Sequence, residues 1–434
     1  MKKIGLLLAL LALLMAALPG ALAETVTYLE ANGVEKTTEA IVLDQTWLDK
    51  NENLGDDNQT TWYYVPKGTS VEKKNNWITT VYGDVHLILG DGATLKVEGR
   101  GIRLTFQASL TIYAQSQSKN MGRLIATVTA TGQFERHHAG INVTQSARLT
   151  INGGYIEATG GADGGAGIGG NGKEGEHEDC GTVIINGGIV TAQGGAQNGV
   201  GIGGGSSNEK STNIQSNGGR GADLTINGGL VTAIGGGENG KAIGSGHGYD
   251  EQTDNGSLTL GDRIAVYDDT KDEQLTGSTD EILNQIIGTF GQKNQIQKVV
   301  FETHTGYRIV ASDKYVQPTG KLSMTASGEF GDFQYLRLNN KKLDPKAYTT
   351  RSGSTVATVD AALLNCSLDT PHTLSFIYPN GSADGRFSVV LQLPAETIKD
   401  LPQTGDNSRL LLYVGLALAC GVAVCALLIA RKRR

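Results

Sequence analysis

Three stretches of this chain repeat one another at a spacing that no single helix or hairpin uses. Residues 149–170 read LTINGGYIEATGGADGGAGIGG, residues 183–204 read VIINGGIVTAQGGAQNGVGIGG, and residues 224–245 read LTINGGLVTAIGGGENGKAIGS. Asn152, Asn186 and Asn227 recur at separations of 34 and 41 residues, and Ile168, Ile202 and Ile243 recur at the same separations. Within each copy the apolar residues alternate with polar ones, as strands with one buried face require. Leu149 and Ile151 face in while Thr150 faces out. Ile156/Ala158, Val190/Ala192 and Val231/Ala233 fill the second segment, and the repeated isoleucines fill the third.

One such unit is too small to enclose a core, but stacked units bury a continuous apolar column. The pattern therefore predicts a mainly β chain built on a right-handed parallel β-helix, one repeat per coil. Stacking also predicts an amide ladder through Asn152, Asn186 and Asn227 at one corner. A disordered glycine-rich linker would not alternate. A β-sandwich is the nearer rival, and the threefold segmentation of every copy favours the solenoid. Glycine is in excess, 61 residues against 8 prolines, without a collagen period. It must serve turns or close backbone packing.

The flanks divide the rest. Residues 24–82 carry Trp47, Trp62 and Trp77 with short alternating runs, and are expected to cap the open end of the solenoid. The solenoid itself is expected over 83–268, with residues 256–268 as its last coil. A connector over 269–304 includes a short helix at 280–287 capped by Ser278 or Thr279. Residues 305–394 lose the glycine repeats and read as a separate β-sandwich. A linker follows over 395–400.

Both ends carry processing signals. Lys2-Lys3, an apolar run from Ile4 to Leu18 and Ala21-Leu22-Ala23 form a secretory signal peptide over 1–23. At the other end stand Leu401-Pro402-Gln403-Thr404-Gly405, an uncharged run over 410–430 long enough for a transmembrane helix, and the basic tail Arg431-Lys432-Arg433-Arg434. This ending resembles the sorting signal of Gram-positive surface proteins. The resemblance implies that a sortase cuts between Thr404 and Gly405 and joins Thr404 covalently to peptidoglycan. The membrane is then met only before processing, and the protein is expected in the cell wall, on the extracellular face.

Two further stretches carry resemblances. GDVHLILGDGATL, SLTIYAQS and the INGG…GIGG copies, over roughly 83–246, are similar to glycine-rich wall-anchored or secreted proteins of Gram-positive bacteria. LRLNNKKLDPKAYTTRSGSTVATVDAALLN…HTLSFIYPNG resembles immunoglobulin-like accessory modules of secreted carbohydrate-active enzymes. Neither resemblance supplies an activity.

The full chain is −7, and processing at both ends removes seven basic residues and one acidic residue, leaving −13. That balance gives no electrostatic reason to bind nucleic acid or anionic lipid. Cys180 and Cys366 are the cysteines outside the apolar tail, which excludes a disulfide framework.

Candidate chemistry is sparse. Glu174, Glu176, His177, Glu178 and Asp179 form an acidic loop whose oxygens suit calcium, although the spacing matches no regular calcium loop. A solvated loop is the simpler reading. No other cofactor is implied. Glu157 is a lone outward carboxylate, whereas acid–base work needs converging groups. His137-His138 reads as structural or surface. The expected function is a non-catalytic adhesin or carbohydrate-binding display protein, with glycans or a host surface ligand as partner. The alternatives are a β-helical polysaccharide lyase or hydrolase and a purely structural wall spacer.

Overall fold

The computed structural model describes residues 23–74, 79–132, 136–172, 178–207, 217–248, 253–289, 293–304 and 306–393. The signal peptide through residue 22, Trp77, Glu174, Glu176, His177, the linker, LPQTG and the apolar run with its basic tail lie outside those residues. Among the described residues no helix is long and apolar enough to cross a membrane.

The alternating segments become strands of three parallel sheets, and the chain visits the sheets in turn. In the first, Thr60–Val65, Asp84–Leu89, Ser109–Ala114, Arg148–Ile151, Thr182–Ile185, Asp223–Ile226 and Ser257–Leu260 stack in order. The second holds Ser70–Lys74, Thr94–Gly99, Arg123–Val128, Tyr155–Thr159, Ile189–Gln193 and Leu230–Ile234. The third runs from Asn53–Leu54 through Thr79–Val81, Ile102–Leu104 and Ile141–Val143 to the two-residue strands at Ile168, Ile202 and Ile243. Repeats pair in register: Leu149 with Val183, Ala158 with Ala192, Ile168 with Ile202. Their inward side chains merge into one buried column. At the corner after the first sheet, Asn186 Nδ2 donates to Asn152 Oδ1 at 2.8 Å and Asn227 Nδ2 donates to Asn186 Oδ1 at 2.8 Å.

Close backbone approach accounts for much of the glycine. Gly161, Gly195 and Gly236 occupy equivalent places in successive coils. A Cβ on Gly195 would lie 1.7 Å from the carbonyl oxygen of Gly161, and one on Gly236 would lie 1.9 Å from that of Gly195. A second column, Gly169, Gly203 and Gly244, has φ of +141°, +155° and +124°, and at Gly169 and Gly203 a Cβ would also lie 1.8 and 1.9 Å from the carbonyl oxygen of the next glycine in the column. The third side of the solenoid is thus packed largely backbone on backbone, which residues with a Cβ do not permit.

The stack starts earlier than position 83. Ile41 and Val42 pair in parallel with Tyr63 and Tyr64, and Asn53–Leu54 pairs with Thr79–Val81. The coils therefore extend into the region expected to be only a cap. The true cap is the helix Gln45–Lys50, started by the Asp44 side chain, which places Trp47 against Tyr63 with ring centroids 5.2 Å apart. Trp62 takes no part in plugging the end, because it points outward from the first sheet. There the antiparallel hairpin Ala23–Leu29/Glu35–Val42 covers it, with Tyr28, Tyr64, Ile88 and Tyr113.

Residues 256–268, read above as a last coil, split at the other end. Ser257–Leu260 joins the parallel stack, but Ile264–Asp268 pairs antiparallel with Lys298–Thr303, which itself lies antiparallel to Leu230–Ile234. Reversing the strand direction ends the parallel ladder. The helix Thr279–Ile287 has Ser278 as N-cap in a capping box with Glu281, and it buries Ile282, Leu283 and Ile286 over the last coil.

Residues 306–393 form two sheets around their own core. Ile309–Ser312, Lys321–Ala326, Thr355–Asp360 and Tyr348–Arg351 make one; Tyr315–Val316, Gly381–Val389, Pro371–Tyr378, Tyr335–Leu338 and Lys341–Lys342 make the other. This sandwich is not separate, as the sequence suggested. Arg337, fully buried, puts Nη2 2.6 Å from Glu302 Oε1 and Nη1 2.8 Å from Asp272 Oδ1, with its guanidinium 3.6 Å over the Tyr267 ring. Further along the solenoid, Gly188 N donates to Asn380 Oδ1 at 3.5 Å and Lys119 N donates to Asp332. Contacts from Lys119 to Glu302 lay the sandwich along the flank of several coils.

Candidate functional site

The acidic loop contributes two described residues, and both are engaged internally. Glu178 Oε2 accepts from Asn142 Nδ2 at 2.9 Å, and Asp179 Oδ1 accepts from the Arg220 backbone N–H at 2.7 Å. They brace the turn between coils instead of converging outward. Among the described residues no group of three or more His, Cys, Asp or Glu is placed to hold a metal ion. Glu157 sits 3.3 Å from Arg123, whose guanidinium lies 5.2 Å from the centroid of the Tyr155 ring. His137 and His138 pack ring to ring at 4.6 Å, and burial together with the neighbouring imidazole pushes His138 down to about 4. The His138 carbonyl accepts from Gly161, so this pair is part of the stacked backbone.

The structure instead presents a regular outer face on the first sheet. The in-register strands place Thr150, Ile184, Thr225 and Thr259 in one row, with Arg148, Thr182, Asp223 and Ser257 in the next. The Asn152–Asn186–Asn227 ladder borders it. Strand spacing repeats each row at about 4.8 Å. Arg148 and Asp223 are the charged positions of these rows, opposite in sign. Arg220 lies 2.7 Å from Asp223 and 2.6 Å from Asp254. Hydrogen bonding to Arg220 holds the Asp223 carboxyl below its ordinary range. The face is thus close to neutral on a chain of net charge −7.

An aromatic wall closes one end of this face. Trp62 stacks on His86 at 4.1 Å, Tyr113 stacks 5.4 Å from Trp62, and Tyr28 of the hairpin meets Tyr113 at 4.7 Å. A ring nitrogen of His86 lies 3.0 Å from the Tyr113 hydroxyl. Beyond the wall four rungs remain, from Arg148–Ile151 to Ser257–Leu260. Sequence reasoning placed Thr150 outward but sought function on the loops. The signal it passed over was the threonine at the same outward place in Thr150, Thr225 and Thr259.

One half-buried group departs from the repeat without joining this face. Lys241 stands where the other copies have Ala166 and Val200, and Ser245 stands where they have Gly170 and Gly204. Lys241 Nζ lies 2.8 Å from Ser245 Oγ and 3.4 Å from Asn255 Oδ1, and burial lowers its pKa to about 8. Between pH 8 and the unfolded value of 10.5 the unfolded chain binds the extra proton, so stability rises with pH across that window and the full penalty stands below it. The shift corresponds to about 3 kcal/mol, less whatever the two hydrogen bonds return. Lys241→Val is therefore expected to stabilise the protein at pH 7 by roughly 1–2 kcal/mol and to remove the rise between pH 8 and 10.5. Denaturant unfolding across that pH range measures both effects; unchanged stability with an unchanged rise would contradict this assignment.

A family model described as a beta helix repeat matches residues 149–172 and 183–206. No curated protein matches the chain, and no solved structure matches it. The matched residues are the first two of the three repeats, and together with the parallel three-sheet stack they make this chain a β-helix repeat protein.

Proposed function

We propose that this is an exported, wall-attached display protein of a Gram-positive bacterium, non-catalytic and binding glycans through the solenoid. The observation that carries the reading is the pairing of a long, uninterrupted ladder face with the LPQTG ending, apolar run and basic tip. Sortase and peptidoglycan are then its processing partners, joined through Thr404. In this reading the sandwich is an immunoglobulin-like accessory module. Its contacts along the flank make it a brace for the solenoid, in place of a spacer set end to end.

The enzyme alternative gains no support from Glu157, whose nearest charged partner is Arg123. Catalysis at this position would need a second acid or base facing the same space. Thr404→Ala removes the acyl residue that sortase must take up. In a sortase-competent host it is expected to shift the protein from the covalent wall fraction to the membrane or medium. Detergent-resistant wall attachment at the wild-type level would show that LPQTG is not the anchor.

A further inference from the structure

We infer that the open face of the first sheet takes an extended β-1,4-linked glycan lying along the solenoid axis, one sugar per rung. The inference rests on the glycan-display reading above and adds the face, the linkage and the length.

Three observations carry it. First, the outward groups recur in phase. Thr150, Thr225 and Thr259 each offer a hydroxyl at the same place on their strands, and the asparagine ladder offers amides beside them. The repeat along the axis is the strand spacing of about 4.8 Å. A β-1,4-linked chain is a flat ribbon that advances by close to that spacing per sugar with alternate rings turned over. Thr150 and Thr225, two rungs apart, therefore meet rings of the same orientation, while Ile184 between them offers an apolar contact. An α-linked chain coils, and loses register with a straight ladder after one or two rungs.

Second, the charge pattern selects an uncharged polymer. The rows carry one positive and one negative position, and Asp223 is already held by Arg220 and Ser257. A polyanion would meet the acidic surplus of the chain, whereas a neutral ribbon meets no such repulsion. Third, the face has a defined length. The Trp62–His86–Tyr113 stack and the hairpin close its N-terminal end. The four open rungs accommodate about four sugars at that spacing.

The test is a calorimetric titration of the full chain, kept in a detergent without sugar, with β-1,4-linked glucose and N-acetylglucosamine oligomers of two to eight units. α-1,4-linked glucose oligomers serve as the comparison. The inference predicts affinity that rises with length, levels off at about four sugars, and exceeds that for α-linked oligomers. Thr150→Val/Thr225→Val keeps strand shape while deleting two hydroxyls, and is expected to weaken binding at least about tenfold. Thr349→Val, on the sandwich, should leave it unchanged. Equal binding by the double variant, or preference for α-linked oligomers, would overturn the inference while leaving a glycan-binding protein. No binding of any oligomer, with the circular dichroism of a folded β protein, would overturn both.

Discussion

Arg337→Met is expected to destabilise the protein by about 3–5 kcal/mol, because it strands a carboxylate in a site closed to water. Glu302 is fully buried, and its oxygens accept from Arg337 Nε at 2.9 and 3.1 Å and from Nη2 at 2.6 Å, with Tyr335 as a further donor. Burial pushes the Glu302 carboxyl up, yet hydrogen bonds from His304 and Arg337 outweigh it and hold the group below its ordinary range. Removing the arginine leaves the burial and takes away most of what offsets it. The ion pair bridges the last strand of the solenoid and the sandwich, so the loss should appear as earlier unfolding or release of the sandwich. Arg337→Met/Glu302→Leu leaves no stranded charge and should recover much of the stability of the single variant. Denaturant unfolding of the two variants checks this. Near-wild-type stability for Arg337→Met would mean that water reaches Glu302 and that the sandwich is not seated as described.

Gly195→Ala should be at least as damaging as a misfitted core side chain, although it adds one methyl group. Its new Cβ would sit 1.7 Å from the carbonyl oxygen of Gly161, with a second contact at 2.7 Å to the adjoining carbon. Both partners are backbone atoms of the coil below, so no rotamer change relieves the overlap. Overpacking commonly costs about 1–3 kcal/mol and occasionally more. A clash between stacked main chains belongs at the upper end, since relief means opening rungs. Gly68→Ala is a useful contrast: it also places a Cβ on a glycine, at φ +69°, but meets nothing within 4 Å. It should cost only the left-handed backbone penalty of about 1–2 kcal/mol. Gly195 does not have a positive φ, so the gap between the two melting curves is the steric cost less the left-handed penalty paid at Gly68. If Gly195→Ala melts with or above Gly68→Ala, the coils are not stacked at this distance.

These effects mark where the sequence was legible. Alternation in Leu149–Ile151 and Ile156–Ala158, copied twice more, specifies strands, inward faces and rung register together, because one phase satisfies all three copies. The capping box at Ser278 and Glu281 is equally local and is found where its pattern places it. Thr61–Val65 reads as a strand from its alternation, but without an INGG copy only tertiary pairing shows that it and Glu35–Val42 continue the stack. Nor does any local pattern tell Lys298–Thr303 to run antiparallel to its neighbours. Arg337 and Glu302 lie 35 residues apart in segments with no shared period, and each looks like an ordinary surface charge until the chains meet. Glycine was read as turn or close packing. Which of the two applies at Gly195 depends on Gly161, a whole coil away. The open face was half legible: Thr150 was placed outward, but its value lies in the alignment of four strands.

The most direct test of the proposed role is mass spectrometry of the protein released from purified cell walls by peptidoglycan hydrolase. The account predicts a chain beginning at Glu24 and ending at Thr404, with its terminal carbonyl amide-linked to a peptidoglycan-derived amine. A chain recovered only from membranes, intact to Arg434 and without that adduct, would contradict wall display.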